Sequence, residues 1–302
     1  MNWVYGKVGG DRVIKQTTEE KIWEIVIYFI LIVIAIVTLS PFLYVLLVSV
    51  TPTVELSNVS KNILYFPKQV DFTAYNQIFQ TDTIPQGFKI SLFITVVGTL
   101  LSLLITVLTA YPLSRKNLPG REVLLFMIVF TMLFNGGLIP TYLVVKSLRL
   151  IDKIWALIMP SLVSAFNLII IKNYFLTIPD SLEESVKLDG ANDFVILFKI
   201  MLPLSAPMLA TIALFYAVGY WNSFFNAILY INNTRLYPLQ VVLRRILFSA
   251  TGDLILDIET HKASMLAVRM AVIAVTTIPI LMVYPFLQKY FTQGILLGSI
   301  KE

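Results

Sequence analysis

Apolar residues along this chain gather in unbroken runs, without the alternation of a half-buried strand or the stripe of a surface helix. Each run approaches the roughly 20 residues that a helix needs to cross a bilayer. The first extends from about Ile22 to Val50, with Pro41 a kink point in its outer third, and the second from about Phe88 to Leu113. A third begins near Val123 and is interrupted at Asn135-Gly136-Gly137 and Pro140. The fourth covers Ile154 to about Leu176, the fifth about Leu204 to Ile231 and the sixth about Ala267 to Leu287. The pattern predicts an all-α polytopic membrane protein with six transmembrane helices. Residues 22–290 form its membrane domain, between an N-terminal segment 1–21 and a C-terminal tail 291–302. At the interruption in the third run, freed backbone groups must find partners in neighbouring helices or in water. That fits either a cavity-lining segment or a packing kink.

Between the runs lie polar segments of unequal length. Residues 51–87, with Pro52, Pro67 and Pro85, read as a folded external loop containing a short helix. The turn at 114–121, SRKNLPGR, reverses the chain at Pro119-Gly120 and carries Arg115, Lys116 and Arg121. Residues 232–266 form another external loop holding Arg235, Arg244, Arg245, Asp253, Asp257 and Glu259. Lys and Arg divide almost evenly between the two sides, so the positive-inside rule does not set the orientation.

Composition narrows the chemistry. Only 14% of residues are charged, where a soluble domain carries about a quarter. The net charge of +5 is spread over all the loops, which suits lipid headgroups and not nucleic acid. There is no Cys, and His261 is the only His, so cysteine and multi-histidine metal sites are excluded and any Ser-His-Asp triad would depend on His261 alone; no catalytic and no metal residues are assigned. The interiors of spans two to six hold essentially no ionisable side chain, and Lys172 sits near an end where it can snorkel. A proton-driven transporter needs such a group in mid-membrane. A phosphate-binding loop is also absent from the sequence. If the chain transports a solute, its energy comes from a separate ATP-hydrolysing partner.

The most informative stretch is 179–203, PDSLEESVKLDGANDFVILFKIMLP. Its five carboxylates, Asp180, Glu183, Glu184, Asp189 and Asp193, are too many for a bilayer core. Ser181 and Glu184 have capping-box spacing, which places a helix start at Leu182. Asp189-Gly190 supplies a left-handed end, and a second short helix runs from about Asn192 to Pro203. Leu182 and Val186 share a face, giving a small amphipathic knob. It fits either a groove on another protein or the membrane interface.

This stretch resembles the coupling loop of the permeases of binding-protein-dependent ABC importers, whose pattern is E-A-A-x-x-x-G, nine residues, then I-x-L-P. Here Glu184-Ser185-Val186 is followed after three residues by Gly190, after nine more by Ile200, and then by Leu202-Pro203. Ser185-Val186 replaces the two alanines. LDGA, the run from Phe198 to Pro203 and the closing QKYFTQG-LLG are similar to the maltose-type carbohydrate uptake family, above all to permeases of polysaccharides and complex oligosaccharides.

The resemblance implies a type I ABC importer permease architecture in the cell membrane, with both termini cytoplasmic. It implies that loop 179–203 is cytoplasmic and meets the ATPase through Glu183, Glu184, Ser185, Val186, Asp189, Gly190, Ala191 and Pro203. Gln293, Gly294 and Gly298 offer a second contact. Implied partners are a second homologous permease, two copies of an ATP-binding subunit that hold ATP and Mg, and an extracellular or periplasmic solute-binding protein. The chain itself binds no cofactor. The implied cargo is a carbohydrate, an oligosaccharide or polysaccharide fragment, moved by alternating access.

Span five carries Tyr220, Trp221, Asn222, Phe225 and Asn226, a set that either packs against neighbouring helices or lines a sugar path. Gly98 and Gly219 read as close-packing positions. A membrane-embedded transferase and a standalone channel are the alternatives, but the only clustered acids that qualify for the first are those of residues 180–193, whose spacing to Ile200 and Pro203 fits a docking motif better, and a charged pore ring for the second is lacking.

Overall fold

The computed structural model describes residues 18–56, 65–188, 190–248 and 264–299, with side chains in the last segment described as far as 282. The N-terminal residues 1–17, Asp189, and the acids and His261 of the outer loop lie outside these residues. Among the described residues every regular element is helical. Three helices are long and apolar enough to span a bilayer unaided, and three bent pairs bring the candidate spans to six.

Helix α1 (Thr18–Ser49) runs on through Pro41 and is exposed along most of its length, burying Val48 and Ser49 at its end. The short α2 (Thr73–Gln80) packs by Ala74 and Ile78 beneath the outer loop. At the centre stands α3 (Thr83–Ser114), which begins five residues before the expected start of span two. Its buried face carries small residues at helical spacing, Gly87, Ser91, Gly98, Ser102, Thr106 and Ala110. Small side chains let backbones approach closely where lipid leaves no hydrophobic drive between helices.

The turn after α3 reverses at Gly120, φ +72°, and Arg121 Nε closes it by donating to the Leu113 carbonyl at 2.8 Å. Helices α4 (Arg121–Leu133) and α5 (Leu138–Ser147) form the interrupted third span, bent by 116°. The break falls where Asn135-Gly136-Gly137 places it, and Gly137 has φ +86°. Helices α6 (Trp155–Ser161) and α7 (Ala165–Phe175) form the fourth span with a bend of 51°.

Two short elements follow, α8 (Asp180–Leu188) and α9 (Asp193–Leu204), and then α10 (Ala206–Trp221) at 85° to α9. Span five ends at Trp221 and not at Ile231. Asn222-Ser223, poor helix formers, break the chain before a separate α11 (Phe225–Tyr230). Next, α12 (Leu239–Phe248) precedes α13 (Met265–Ser299). Gln293, Gly294 and Gly298 lie on the last part of α13, their side chains outside the description.

Helix α10 packs most extensively on α3, which also bears α7 and α12, while α13 lies against α1 and α10. The turn after α5 is pinned by Asp152. Its carboxylate accepts from the backbone N–H groups of Asn232 and Asn233, which hold it below the ordinary carboxylate pKa.

Candidate functional site

Two polar assemblies stand out against the apolar spans, one at the foot of α3 and one inside the bundle. At the foot, α8 starts at Asp180 with two acids in its first turn, where the helix dipole favours them. Ser181 lies within that turn and is therefore not the cap that the spacing predicts. The far end is a Schellman motif. Gly190 N–H donates to the Lys187 carbonyl at 3.0 Å and Ala191 N–H to the Val186 carbonyl at 3.2 Å, with Gly190 at φ +84°. Asn192 then caps α9 by accepting from Val195 N–H at 2.9 Å.

The orientation of α8 divides the residues expected to meet the ATPase between two sides of the helix. Glu183 faces its own chain, only 7% exposed, and is ion-paired to Arg115 at the end of α3. Lys187 Nζ lies 2.8 Å from the same carboxylate and 3.5 Å from Asp193. Hydrogen bonding to Glu183, then the nearby negative charge, raises the Lys187 pKa. The Arg115 guanidinium rests 4.5 Å over the Tyr111 ring. Val186 also turns inward, against the main core. Glu183 and Val186 are thus anchors of the knob, and its free face is Ser181, Glu184, Ser185 and Leu188, with Leu182 on the flank. Leu188 is 89% exposed and Leu182 43%. Ala191 is half-buried in the turn, and Pro203 is exposed near the 85° elbow. A cavity of about 790 Å³ separates α8 from the turn at 115–119.

Inside the bundle, two tyrosines one turn apart on α10 tie three helices together. Thr106 gives its hydroxyl hydrogen to the Ser102 carbonyl at 2.6 Å, so the Tyr216 hydroxyl donates to Thr106 Oγ1 at 2.8 Å. Tyr216 also accepts from Ser164 N–H at 3.0 Å. Tyr220 donates to the Ile158 carbonyl at 3.3 Å and accepts from Ser102 Oγ at 2.8 Å. Ser164 and Ile158 flank the break between α6 and α7. Backbone groups freed by a bend in the membrane are here satisfied by side chains from the next helix. The Tyr220 ring fills the space over Gly98, where an added Cβ would sit 2.8 Å from it.

Beside these tyrosines lies a cavity of about 380 Å³. Ser161, Ser164 and Asn167 line one wall, and Asn222, Ser223 and Asn226 the other, with Phe215, Phe224 and Phe225 between. Among the described residues, no charged side chain lines it. Of the residues read as a sugar path, Tyr220, Asn222, Phe225 and Asn226 meet here, although Tyr220 itself is buried and engaged in packing. Trp221 does not reach the cavity; it is buried edge-on against Phe88, with ring centres 5.9 Å apart. Gly219 opens onto the cavity with nothing within 4 Å of an added Cβ, so it is not a close-packing position. The wall from Ser161, Ser164 and Asn167 escaped the sequence reading, though polar residues beside Pro160 in an apolar run are a signal for it.

Residues 97–297 match the family described as the binding-protein-dependent transport system inner membrane component. The chain belongs to this family. The permease is 48% identical over 286 residues to the polygalacturonan/rhamnogalacturonan transport system permease protein YtcP of Bacillus subtilis, covering 94% of this chain and 99% of that one. It is 47% identical over 270 residues to Protein LplC of the same organism, covering 88% and 90%. Among solved structures, a chain of a bacterial ABC transporter involved in the import of the acidic polysaccharide alginate superposes with a TM-score of 0.85 at 34% identity, covering 91% of this chain and 99% of that one. The permease is thus a membrane transport subunit with the type I ABC importer fold, not an enzyme.

Proposed function

We propose that this permease pairs with a homologous second permease, stands on two copies of an ATP-binding subunit that carry ATP and Mg, and receives a carbohydrate from an external solute-binding protein. Both termini, residues 1–21 and 291–302, face the cytoplasm with loop 179–203, and loops 51–87 and 232–266 face outward. Closure of the ATPase pair moves α8, α9 transmits the motion through the elbow at Pro203, and α10 turns beside the neutral cavity. The cargo is an oligosaccharide or polysaccharide fragment. The cargoes of the relatives, polygalacturonan/rhamnogalacturonan and alginate, support that class. So does a wall of amides, hydroxyls and aromatic rings, which can bond sugar hydroxyls and stack on sugar faces.

The observation that carries this reading is the two-sided character of α8. Its inner side is fixed to the permease by Glu183, while Leu188 and Leu182 stand exposed on a segment too polar for the bilayer. A helix of nine residues is marginal alone, yet here it is braced and presents an apolar tip to a partner. Leu188→Asp places a charge on that tip and is expected to abolish co-purification of the ATPase with a membrane-inserted permease. Gly190→Val forces a β-branched residue to positive φ. It is expected to reduce uptake into proteoliposomes while ATP hydrolysis persists, as is a change at Glu184. Normal transport by the Gly190 and Glu184 variants overturns the proposal.

A further inference from the structure

Arg244 lies on the exposed side of α12. Its guanidinium sits 4.5 Å over the ring of Phe224 and 5.4 Å from that of Phe248. Phe224 belongs to two environments, since its ring carries this cation and also lines the neutral cavity. A guanidinium stacked on aromatic faces keeps its N–H groups in the ring-parallel plane, directed outward and free to bond an acceptor. The rings also fix its position, so little rotamer freedom remains to be lost on binding. Among the described residues no carboxylate forms an ion pair with Arg244.

We infer that Arg244, held on Phe224, is a specificity-determining residue that binds the carboxylate of an anionic sugar entering the cavity. The inference rests on the carbohydrate reading above and adds charge to it. The division of labour follows from the chemistry: the uncharged wall meets the hydroxyls and ring faces common to all sugars, and the cation behind Phe224 meets the carboxylate that only uronate residues carry. A planar fork matches a carboxylate with two parallel hydrogen bonds, which a hydroxyl or an ester cannot reproduce. Arg244 is exposed and does not itself line the cavity, so the cation stays solvated between transport events and avoids the penalty of burial in mid-membrane.

The test is equilibrium binding of trigalacturonate and of its fully methyl-esterified form to the complete importer complex in nanodiscs, without the solute-binding protein. The wild-type complex binds the acid more tightly than the ester. Arg244→Gln weakens the acid roughly tenfold, as expected for loss of a charged hydrogen-bonded pair, and leaves the ester unchanged. Arg244→Lys, which keeps the charge but not the fork, falls between them. Equal loss for acid and ester reveals a packing role for Arg244 and overturns the inference, as does an unchanged acid affinity. A wild-type complex that binds neither ligand overturns the carbohydrate reading itself, and this inference with it.

Discussion

The foot and the middle of α3 are tied to the rest of the chain by opposite chemistry. At the foot the tie is ionic, Arg115 to Glu183, supported by Lys187 and the Tyr111 ring. In the middle it is a set of uncharged hydroxyl bonds from Tyr216 and Tyr220 to Ser102, Thr106 and the bent fourth span. The contrast tracks the surrounding dielectric. Ion pairs are sustainable where water can reach part of each partner, and Arg115 keeps 24% of its side-chain surface exposed. Deep in the bilayer the desolvation of two charges exceeds their attraction unless every group is satisfied, whereas hydroxyls reach full pairing without that penalty. The same helix is therefore gripped twice, by whichever interaction each depth permits.

Arg115→Ala tests the ionic tie and carries the largest expected effect. It leaves a carboxylate of 9% side-chain exposure without its main partner, at about 3 kcal/mol. Thermal unfolding of the complex in nanodiscs measures this, and the double variant Arg115→Met with Glu183→Gln recovers most of it if the stranded charge is the cause. A double variant as unstable as the single breaks the comparison. Next is Gly98→Val, which drives a side chain into the Tyr220 ring; overpacking costs about 1–3 kcal/mol, read by the same unfolding assay.

Tyr216→Phe removes only neutral bonds, and the expected loss is smaller, ~0.6–1 kcal/mol, insensitive to salt. A strong salt dependence would mean that the interior is wetter than the hydroxyl lock implies.

The smallest effects are read from pH. Asp152 has a lowered folded pKa, so its contribution is fully present above the ordinary value of 3.8 and is lost as pH falls through the lowered value. Asp152→Asn flattens the acid limb of the stability curve below that point. Lys187 has a raised folded pKa, so its share of the clamp is complete below 10.5 and disappears only as pH rises beyond it. Lys187→Gln flattens the alkaline limb.

The spans were legible because bilayer length is written in consecutive residues, and Asn135-Gly136-Gly137 marked its own break. Gly190 was legible too, since a left-handed helix end is a local property. What could not be read was orientation. Glu183 and Glu184 are adjacent and identical in type, and only the position of Arg115, far back in the chain, turns one inward and leaves the other free. Trp221 and Asn222 pose the same problem: one turns to Phe88 and the other to the cavity, and the sequence around them is equally apolar. The polar wall across the cavity comes from another span, so its pairing with Asn226 depends on tertiary packing.

The elbow between α9 and α10 has a mechanical consequence. The segment Leu197–Met201 within α9 is π-helical, a form often placed at functional bends. The twelve residues of Asp193–Leu204 make an arm of about 18 Å, set at 85° to α10, which is the shape of a bell crank. A rotation of ~10° moves the end of such an arm by ~3 Å, by its length alone. Because Tyr216 and Tyr220 fasten α10 to α3, any stroke that preserves those bonds turns both helices as one piece. The gearing between knob and cavity is therefore fixed by two phenolic hydroxyls, and loosening them introduces backlash: the arm still moves, but the wall it drives lags behind.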